Sequence, residues 1–326
     1  MALLGALASG AAAQGVGGRT RVLVISGLSG EERFAKEYLE LGRAVVDAAR
    51  GRWGAAPEDV VWLAERPEAD AARIAGRSTK AEIEKALVAL SAAAPGDRVL
   101  VLLLGHGAST GETPTLSLPG PDMTAQELAR GLAGVRAASV VVVNAADASG
   151  GFVPALSGRG RVVIAATRSG YERNETEFGR YFVAALTGDG ADTDKDGRVS
   201  LLEAFAYARR EVARSYAEGN RLLTEHAVLD DDADGKGSEA PGATGDGAVA
   251  RRVFLDGGPA VKAAAGASPE LRALYEQKAR LERDVDALKA RKAELPAAAY
   301  EKQLEALLVE LAEKSQAIRR LEGGRP

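Results

Sequence analysis

The sequence predicts an α/β fold in which a mostly parallel sheet is covered by helices on both faces. Two short runs carry this prediction, residues 98–104 and 139–144, because valine and leucine fill almost all of both. A strand without a polar face must be buried on both sides, which is typical of parallel sheets. Strand-like and helix-like segments also alternate along the chain, as they do when right-handed crossovers link parallel strands. With 326 residues, of which 46% are hydrophobic, the chain is long enough for one large domain and an appendage.

Each predicted element follows from its local pattern. β-branched runs that stop at glycine or at polar residues indicate strands, and apolar residues at spacings of three and four indicate helices. Thr79, with Glu82 three residues later, begins the second helix in the manner of a capping box. The predicted strands are 20–26, 59–63, 98–104, 139–144, 161–167 and a last short one at 252–255; the predicted helices are 31–50, 79–94, 124–132, 177–186 and 201–218, with a surface loop over 108–123.

Charge and composition exclude several function classes. The formal net charge of −4 gives no basic field for nucleic acid or for an anionic membrane surface. No internal segment is apolar for long enough to span a bilayer. The chain has no cysteine, which excludes disulfides, cysteine-ligated metals and thiol nucleophiles.

The first eighteen residues read as a signal-peptide-like or disordered start. Residues 1–14 are mostly alanine, leucine and glycine and end in Ala-Ala-Ala-Gln, which resembles a signal-peptidase site, although the usual charged n-region is missing. The pattern predicts an exported protein, periplasmic or extracellular; a cytoplasmic protein with an alanine-rich disordered start is the alternative. Residues 19–257 then form the predicted α/β domain, and residues 258–267 form a linker.

The last part of the chain, residues 268–322, predicts a helical hairpin or a coiled coil. Leucines at 274, 281, 288 and 295 repeat every seven residues, and Pro296 suits the first turn of a second helix. The second helix would pack back on the first through Tyr300 and the aliphatic residues that follow it. Self-association through these helices is the other interpretation.

Residues 192–203 match the twelve-residue EF-hand calcium loop at every liganding position. Alternate aspartates converge on the ion, Gly197 takes the sharp turn, and the residue at position seven offers its backbone carbonyl. The expected cofactor is therefore Ca²⁺, with a metal-free helix-capping loop as the alternative. The predicted ligands are Asp192, Asp194, Asp196, Arg198, Ser200 and Glu203.

A second acidic stretch, from Asp230 to Asp234 and followed by Gly235, begins the same pattern. It has no glutamate at the twelfth position, so a solvated loop is favoured slightly over a second ion site. The wider segment, residues 230–247, is read as a flexible loop or linker.

Two strand ends carry the residues that could act as a catalytic site. His106 lies between two glycines at the end of the strand 98–104, where parallel sheets bind their ligands. It is interpreted either as a general base or as a loop histidine in a structural hydrogen bond. The next apolar strand ends in a small-residue turn that contains Asp147 and Ser149-Gly150-Gly151.

This arrangement resembles the caspase-like peptidase clan of caspases, legumains and gingipains. The resemblance implies a three-layer caspase-like fold in which His106 takes the place of the catalytic histidine and Ser149-Gly150 matches the pair after the catalytic cysteine. The cysteine position falls on Asp147. Because a carboxylate is a poor nucleophile and leaves easily from a mixed anhydride, thiolate proteolysis is excluded.

Three roles remain for Asp147: capping the short helix that follows, which is favoured, pairing with His106, or joining His106 at a metal. Ser149 is a conceivable hydroxyl nucleophile, although no third orienting group is recognisable. Arg168, at the end of the strand 161–167, could hold a substrate carboxylate, or it could be a surface charge.

The function expected from these observations is that of a catalytically inactive peptidase homologue, a pseudoenzyme that binds calcium and a protein or peptide partner. The alternative is a hydrolase that uses His106 with Ser149 or with a metal-activated water. A structural calcium protein that oligomerises through its C-terminal helices is the third interpretation.

Overall fold

The computed structural model describes residues 18–110, 113–195, 197–256, 268–290 and 295–323. Three predictions lie outside these ranges: the signal-peptide-like segment before residue 18, the ligand role of Asp196, and the linker 258–267.

The main sheet has seven strands, and six of them are parallel. Its order is β10-β9-β8-β4-β1-β2-β3, and only β10 at one edge pairs antiparallel, with β9. A smaller antiparallel sheet has the order β5-β6-β7. The strands are β1 (Thr20–Ser26), β2 (Val60–Ala64), β3 (Gly76–Arg77), β4 (Arg98–Leu104), β5 (Gly107–Thr110), β6 (Thr113–Leu116), β7 (Met123–Thr124), β8 (Ser139–Asn144), β9 (Arg161–Ala165) and β10 (Val228–Asp230).

Helices cover both faces of the main sheet, as the sequence predicts. Alternate residues of each strand face opposite layers, so Val24 of β1 packs in one core and Ile25 in the other. Helices α1, α5 and α6 cover the first face, and α2, α3 and α4 cover the second. The helices are α1 (Glu32–Gly51), α2 (Lys80–Leu90), α3 (Ala125–Leu132), α4 (Val153–Leu156), α5 (Phe178–Thr187), α6 (Leu201–Glu218), α7 (Pro269–Ala290) and α8 (Ala297–Gly323).

Several elements differ from the sequence prediction, among them the two-residue strand β3, which was not predicted, and β9, which ends at Ala165 rather than at 167. The expected surface loop over 108–123 contains most of the small β5-β6-β7 sheet, whose short strands carry Gly, Pro and Thr and so lack a strand-like apolar run. The last strand is β10, not residues 252–255, where Phe254 makes only an isolated bridge to Ser200. Helix α2 ends at Leu90 rather than at 94, because the chain turns there toward β4.

The C-terminal helices α7 and α8 pack against each other within one chain. Leu281, Val285 and Leu288 of α7 are buried, as are Tyr300 and Ile318 of α8. This pairing is the hairpin form of the two arrangements that the leucine repeat predicts. Among the described helices, none combines the length and the apolar character needed to cross a membrane.

Candidate functional site

His106 and Asp147 lie together because β4 and β8 are adjacent and parallel. Leu103 of β4 is in register with Asn144 of β8, so both strands end at the same edge of the sheet. The Nδ1 atom of His106 is 3.6 Å from the Oδ1 atom of Asp147, and the same oxygen accepts a 2.7 Å hydrogen bond from the backbone N–H of Gly107. A side chain at Gly107 would collide with the Asp147 carbonyl, its Cβ lying 2.1 Å from that oxygen, so the close approach requires glycine.

The other side of the His106 ring faces α1 and the loop before it. Its Nε2 atom is 3.2 Å from the Ser29 carbonyl oxygen and 3.5 Å from the Tyr38 hydroxyl, and the ring of Phe34 packs edge-on at 4.7 Å. Because burial raises the pKa of Tyr38, its phenol stays protonated at neutral pH. The imidazole is therefore held by groups from β8, from α1 and from the loop after β1.

These partners favour the doubly protonated form of His106. A carbonyl oxygen only accepts, so the contact with Ser29 uses Nε2 as a donor, and the Asp147 carboxylate favours a proton on Nδ1. The Asp147 carboxylate raises the pKa of His106 above its ordinary value, and this effect outweighs burial, which lowers it. The contacts favour a proton on each ring nitrogen and pair the imidazole ring with the Asp147 carboxylate.

A narrow cleft, with an accessible volume of about 20 Å³, lies beside the pair. Phe34 and Tyr38 give it an aromatic wall, while Glu37, Glu175 and Arg180 bring charges to its lining. Burial raises the pKa of Glu37, and Glu175 is paired with Arg33 on the cleft rim. Carboxylates from Glu37, Glu175 and Asp147 and the guanidinium group of Arg180 therefore line the cleft around His106.

Asp147 does not cap the following helix, so the role favoured from the sequence is wrong. The short 3₁₀ helix Ser149–Phe152 begins after Ala148, and no side chain caps it. Ala148 has a φ of 52°, a left-handed conformation that is uncommon for alanine, and its N–H donates to the Glu172 carbonyl at 2.7 Å. This sharp turn directs Asp147 toward Gly107 and His106 instead.

Ser149 does not face the cleft. Its side chain is 0% exposed, and its Oγ atom accepts from the backbone N–H of Thr167 at 3.1 Å and lies 3.2 Å from the Thr167 hydroxyl. The residue joins the turn after β8 to the end of β9. A hydroxyl that is buried and bonded in this way cannot approach a substrate carbonyl.

Arg168 lies in the loop after β9, three residues beyond the end of the strand at Ala165, and its charge is paired with neighbouring carboxylates. Its Nε atom is 3.0 Å from Oε1 of Glu172, and its Nη1 atom is 3.7 Å from Oε1 of Glu239. Among the described residues that line the cleft, the guanidinium group comes from Arg180 and not from Arg168. The surface-charge interpretation of Arg168 fits these contacts better than substrate binding.

The predicted calcium loop brings three carboxylates together before α6. One oxygen from each of Asp192, Asp194 and Glu203 lies within 4.8 Å of the other two. The turn uses positive φ angles at Lys195 (61°) and Gly197 (85°). The Oδ1 atom of Asp192 is buried and has no hydrogen-bond partner in the described part of the chain, which fits an oxygen that is meant to bind a cation.

The remaining predicted ligands are placed around this cluster. The Ser200 hydroxyl accepts from the Glu203 N–H and begins α6 as part of a capping box with Glu203. The Arg198 side chain points to Asp256, with Nη2 at 2.6 Å from Oδ1, so only its backbone carbonyl could serve an ion. Asp196 lies outside the described residues.

A second acidic cluster forms in the loop that starts at the end of β10. One oxygen from each of Asp230, Asp232 and Asp246 lies within 4.8 Å of the other two. Burial, together with the nearby carboxylates, raises the pKa of Asp246 to about 6. Asp246 was not predicted as a ligand, because it lies sixteen residues after Asp230 and no short spacing motif includes it.

The groups that hold His106 from the α1 side, Ser29, Phe34 and Tyr38, were not predicted from the sequence. In the sequence, Phe34 and Tyr38 indicate only the apolar stripe of a helix. The packing of α1 on β1 and β2 brings that stripe against His106. No protein-family model matches the chain, and no curated protein matches its sequence. The site geometry therefore carries the functional argument.

The raised pKa of His106 gives a pH prediction with a definite sign. A histidine whose pKa is higher in the folded than in the unfolded state stabilises the fold at low pH, and this contribution is lost as the pH rises through the folded pKa. In an NMR titration, with His226→Gln used for assignment, we expect the pKa of His106 to lie above 6.5 and to fall in Asp147→Asn.

The matched control is Glu175→Gln, which removes a more distant cleft carboxylate and should lower the pKa of His106 by less. An unchanged pKa in Asp147→Asn would show that the two groups do not form a pair in solution.

Proposed function

We propose that this chain is a caspase-like peptidase homologue without peptidase activity, which binds calcium at residues 192–203 and a protein or peptide partner in the cleft beside His106. The observation that carries the proposal is the His106–Asp147 pair, in which a carboxylate takes the position that the cysteine has in that family. The histidine is retained, and its partner has changed from a nucleophile to a counter-ion.

The chemistry of the pair argues against catalysis. A general base needs a free ring nitrogen within reach of the proton that it removes. In His106, Nδ1 faces the Asp147 carboxylate, and Nε2 lies between the Ser29 carbonyl and the Tyr38 hydroxyl, so both nitrogens already have partners. The Asp147 carboxylate accepts the Gly107 N–H, which lowers its nucleophilicity further. A site of this kind can hold a ligand without transforming it.

The fold supports the family assignment within this proposal. The resemblance implies a histidine at the end of one strand and the cysteine position at the end of its neighbour, within a sheet covered on both faces. His106 and Asp147 follow the neighbouring parallel strands β4 and β8, between two helical layers. Two strand ends that lie 41 residues apart in sequence, from residue 106 to residue 147, thus meet as the resemblance requires.

The alternative is a hydrolase that uses His106 with another nucleophile. Ser149 is unsuitable because it is buried against Thr167. A metal-activated water would need further ligands, and in the described ranges His106 belongs to neither group of three convergent metal-binding side chains. The geometry thus favours a binding role over hydrolysis.

Calcium fits the first acidic loop because its donors are hard oxygen atoms from alternate positions of one turn. A bound ion would neutralise the Asp192, Asp194 and Glu203 carboxylates and fix the start of α6, which packs on the main sheet. Export to a compartment with high free calcium is part of the proposal, since extracellular calcium modules work with dissociation constants of about 10⁻⁴–10⁻³ M.

The partner is proposed to be a protein or peptide segment with a basic side chain, because Glu37 and Glu175 line the cleft together with Asp147. The helical hairpin offers a second way to bind partners or to form oligomers. Leu308 and Val309 of α8 are exposed on it, 45% and 54% respectively.

The calcium part of the proposal predicts a stability change. A ligand that binds only the folded state raises the free energy of unfolding by about 2.7 kcal/mol at a hundredfold excess over its dissociation constant. We expect a higher melting temperature in calcium than in chelator for the wild-type chain, and a smaller rise for Asp194→Asn, which removes one ligand charge.

Asp189→Asn is the control, because this exposed carboxylate lies just before the loop and pairs with Arg52. It should show the full wild-type rise. Equal rises in Asp194→Asn and the wild-type chain would refute calcium binding at residues 192–203.

The lack of catalysis is tested with the purified full chain and calcium against a library of internally quenched peptides and simple esters. We expect no hydrolysis above the buffer rate. Hydrolysis that disappears in His106→Ala and persists in His226→Ala would establish the hydrolase instead, since the second histidine only pairs with Glu172 away from the cleft.

A further inference from the structure

The loop after β10 has the same start as the calcium loop but lacks its last ligand. Asp230, Asp232 and Asp234 take positions one, three and five, Gly235 takes position six, and the twelfth position falls on Pro241. The backbone of both loops has positive φ at positions four and six: 70° and 76° at Ala233 and Gly235, compared with 61° and 85° at Lys195 and Gly197. The two loops therefore make the same turn.

The missing carboxylate comes from a distant part of the chain. Asp231 holds the returning segment, because its Oδ1 atom accepts from Gly247 N–H at 2.9 Å and its Oδ2 atom accepts from Ala250 N–H at 2.7 Å. The Asp231 N–H in turn donates to Oδ1 of Asp246 at 3.0 Å. These bonds bring the Asp246 carboxylate to Asp230 and Asp232.

Asp230 supplies an independent sign of a ligand. The residue is only 1% exposed, and its Oδ1 atom is used by the Ser157 hydroxyl at 3.2 Å and by the Ala233 N–H at 3.3 Å. Its Oδ2 atom is buried and has no hydrogen-bond partner among the described residues. A buried carboxylate oxygen without a partner costs free energy, and a cation beside it would remove that cost.

We propose that Asp230, Asp232 and Asp246 form a second calcium site, in which Asp246 replaces the glutamate that closes an ordinary EF-hand loop. The donors are hard carboxylate oxygens, which suit Ca²⁺. Asp234 does not belong to this cluster, and its Oδ1 atom accepts the Lys236 N–H at 2.7 Å. The ion joins the end of the edge strand β10 to the segment that returns through residues 246–250.

The test is isothermal titration of CaCl₂ into the full chain after treatment with a chelator. Asp246→Asn keeps the bond from the Asp231 N–H but removes the charge, and we expect it to bind one equivalent of calcium fewer than the wild-type chain. Asp232→Asn should lose the same calcium equivalent. Because Asp232 is exposed, this variant is expected to fold even if Asp246→Asn does not. Circular dichroism checks that both variants are folded.

Glu239→Gln is the matched control, since Glu239 lies in the same segment but pairs with Arg168 and Arg209. It should keep the wild-type stoichiometry. Unchanged stoichiometry in both Asp246→Asn and Asp232→Asn would overturn the second site. Asp194→Asn tests the loop at residues 192–203 separately. We expect it to lose the calcium equivalent of that loop and to keep the equivalent bound by Asp230, Asp232 and Asp246.

Discussion

The contact between the ends of β4 and β8 is the constraint on which the proposed site depends. Parallel pairing of these strands places the His106 imidazole 3.6 Å from the Asp147 carboxylate, and Gly107 allows the two backbones to approach. Open α/β sheets bind ligands at the carboxyl ends of their strands. Here those ends carry an imidazole and a carboxylate that contact each other.

Both acidic loops are connected to one segment of the chain, residues 246–256. Asp246 contributes to the second cluster, while Asp256 binds the Arg198 side chain of the first loop and the Val253 carbonyl accepts the Leu201 N–H at the start of α6. This segment therefore contacts both loops within the described residues. An ion at either loop would therefore stabilise the same packing of α6 and β10 on the main sheet.

Patterns within short windows of sequence predicted much of the fold and only part of the site. The buried strands, the covering helices and the meeting of His106 with Asp147 followed from apolar runs and from their order. The role of Asp147 could not be predicted in this way. A helix cap can be recognised from neighbouring residues, whereas the pairing of Asp147 with His106 depends on the turn at Ala148. Asp246 was not predicted either, because only tertiary packing brings it close to Asp230 at the end of β10 and to Asp232. The strand β10 is three residues long, too short to show a period.

The most direct test of the central claim uses the absence of cysteine from the chain. Asp147→Cys introduces a single thiol at the position of interest, and the rate of its alkylation by iodoacetamide can be followed against pH. If His106 lies beside this position, the imidazolium will lower the pKa of the new thiol below the usual value of about 8.5, and His106→Ala will abolish that shift. A thiol that titrates near its usual pKa, or a profile that is unchanged without His106, would contradict the pairing of these two strand ends.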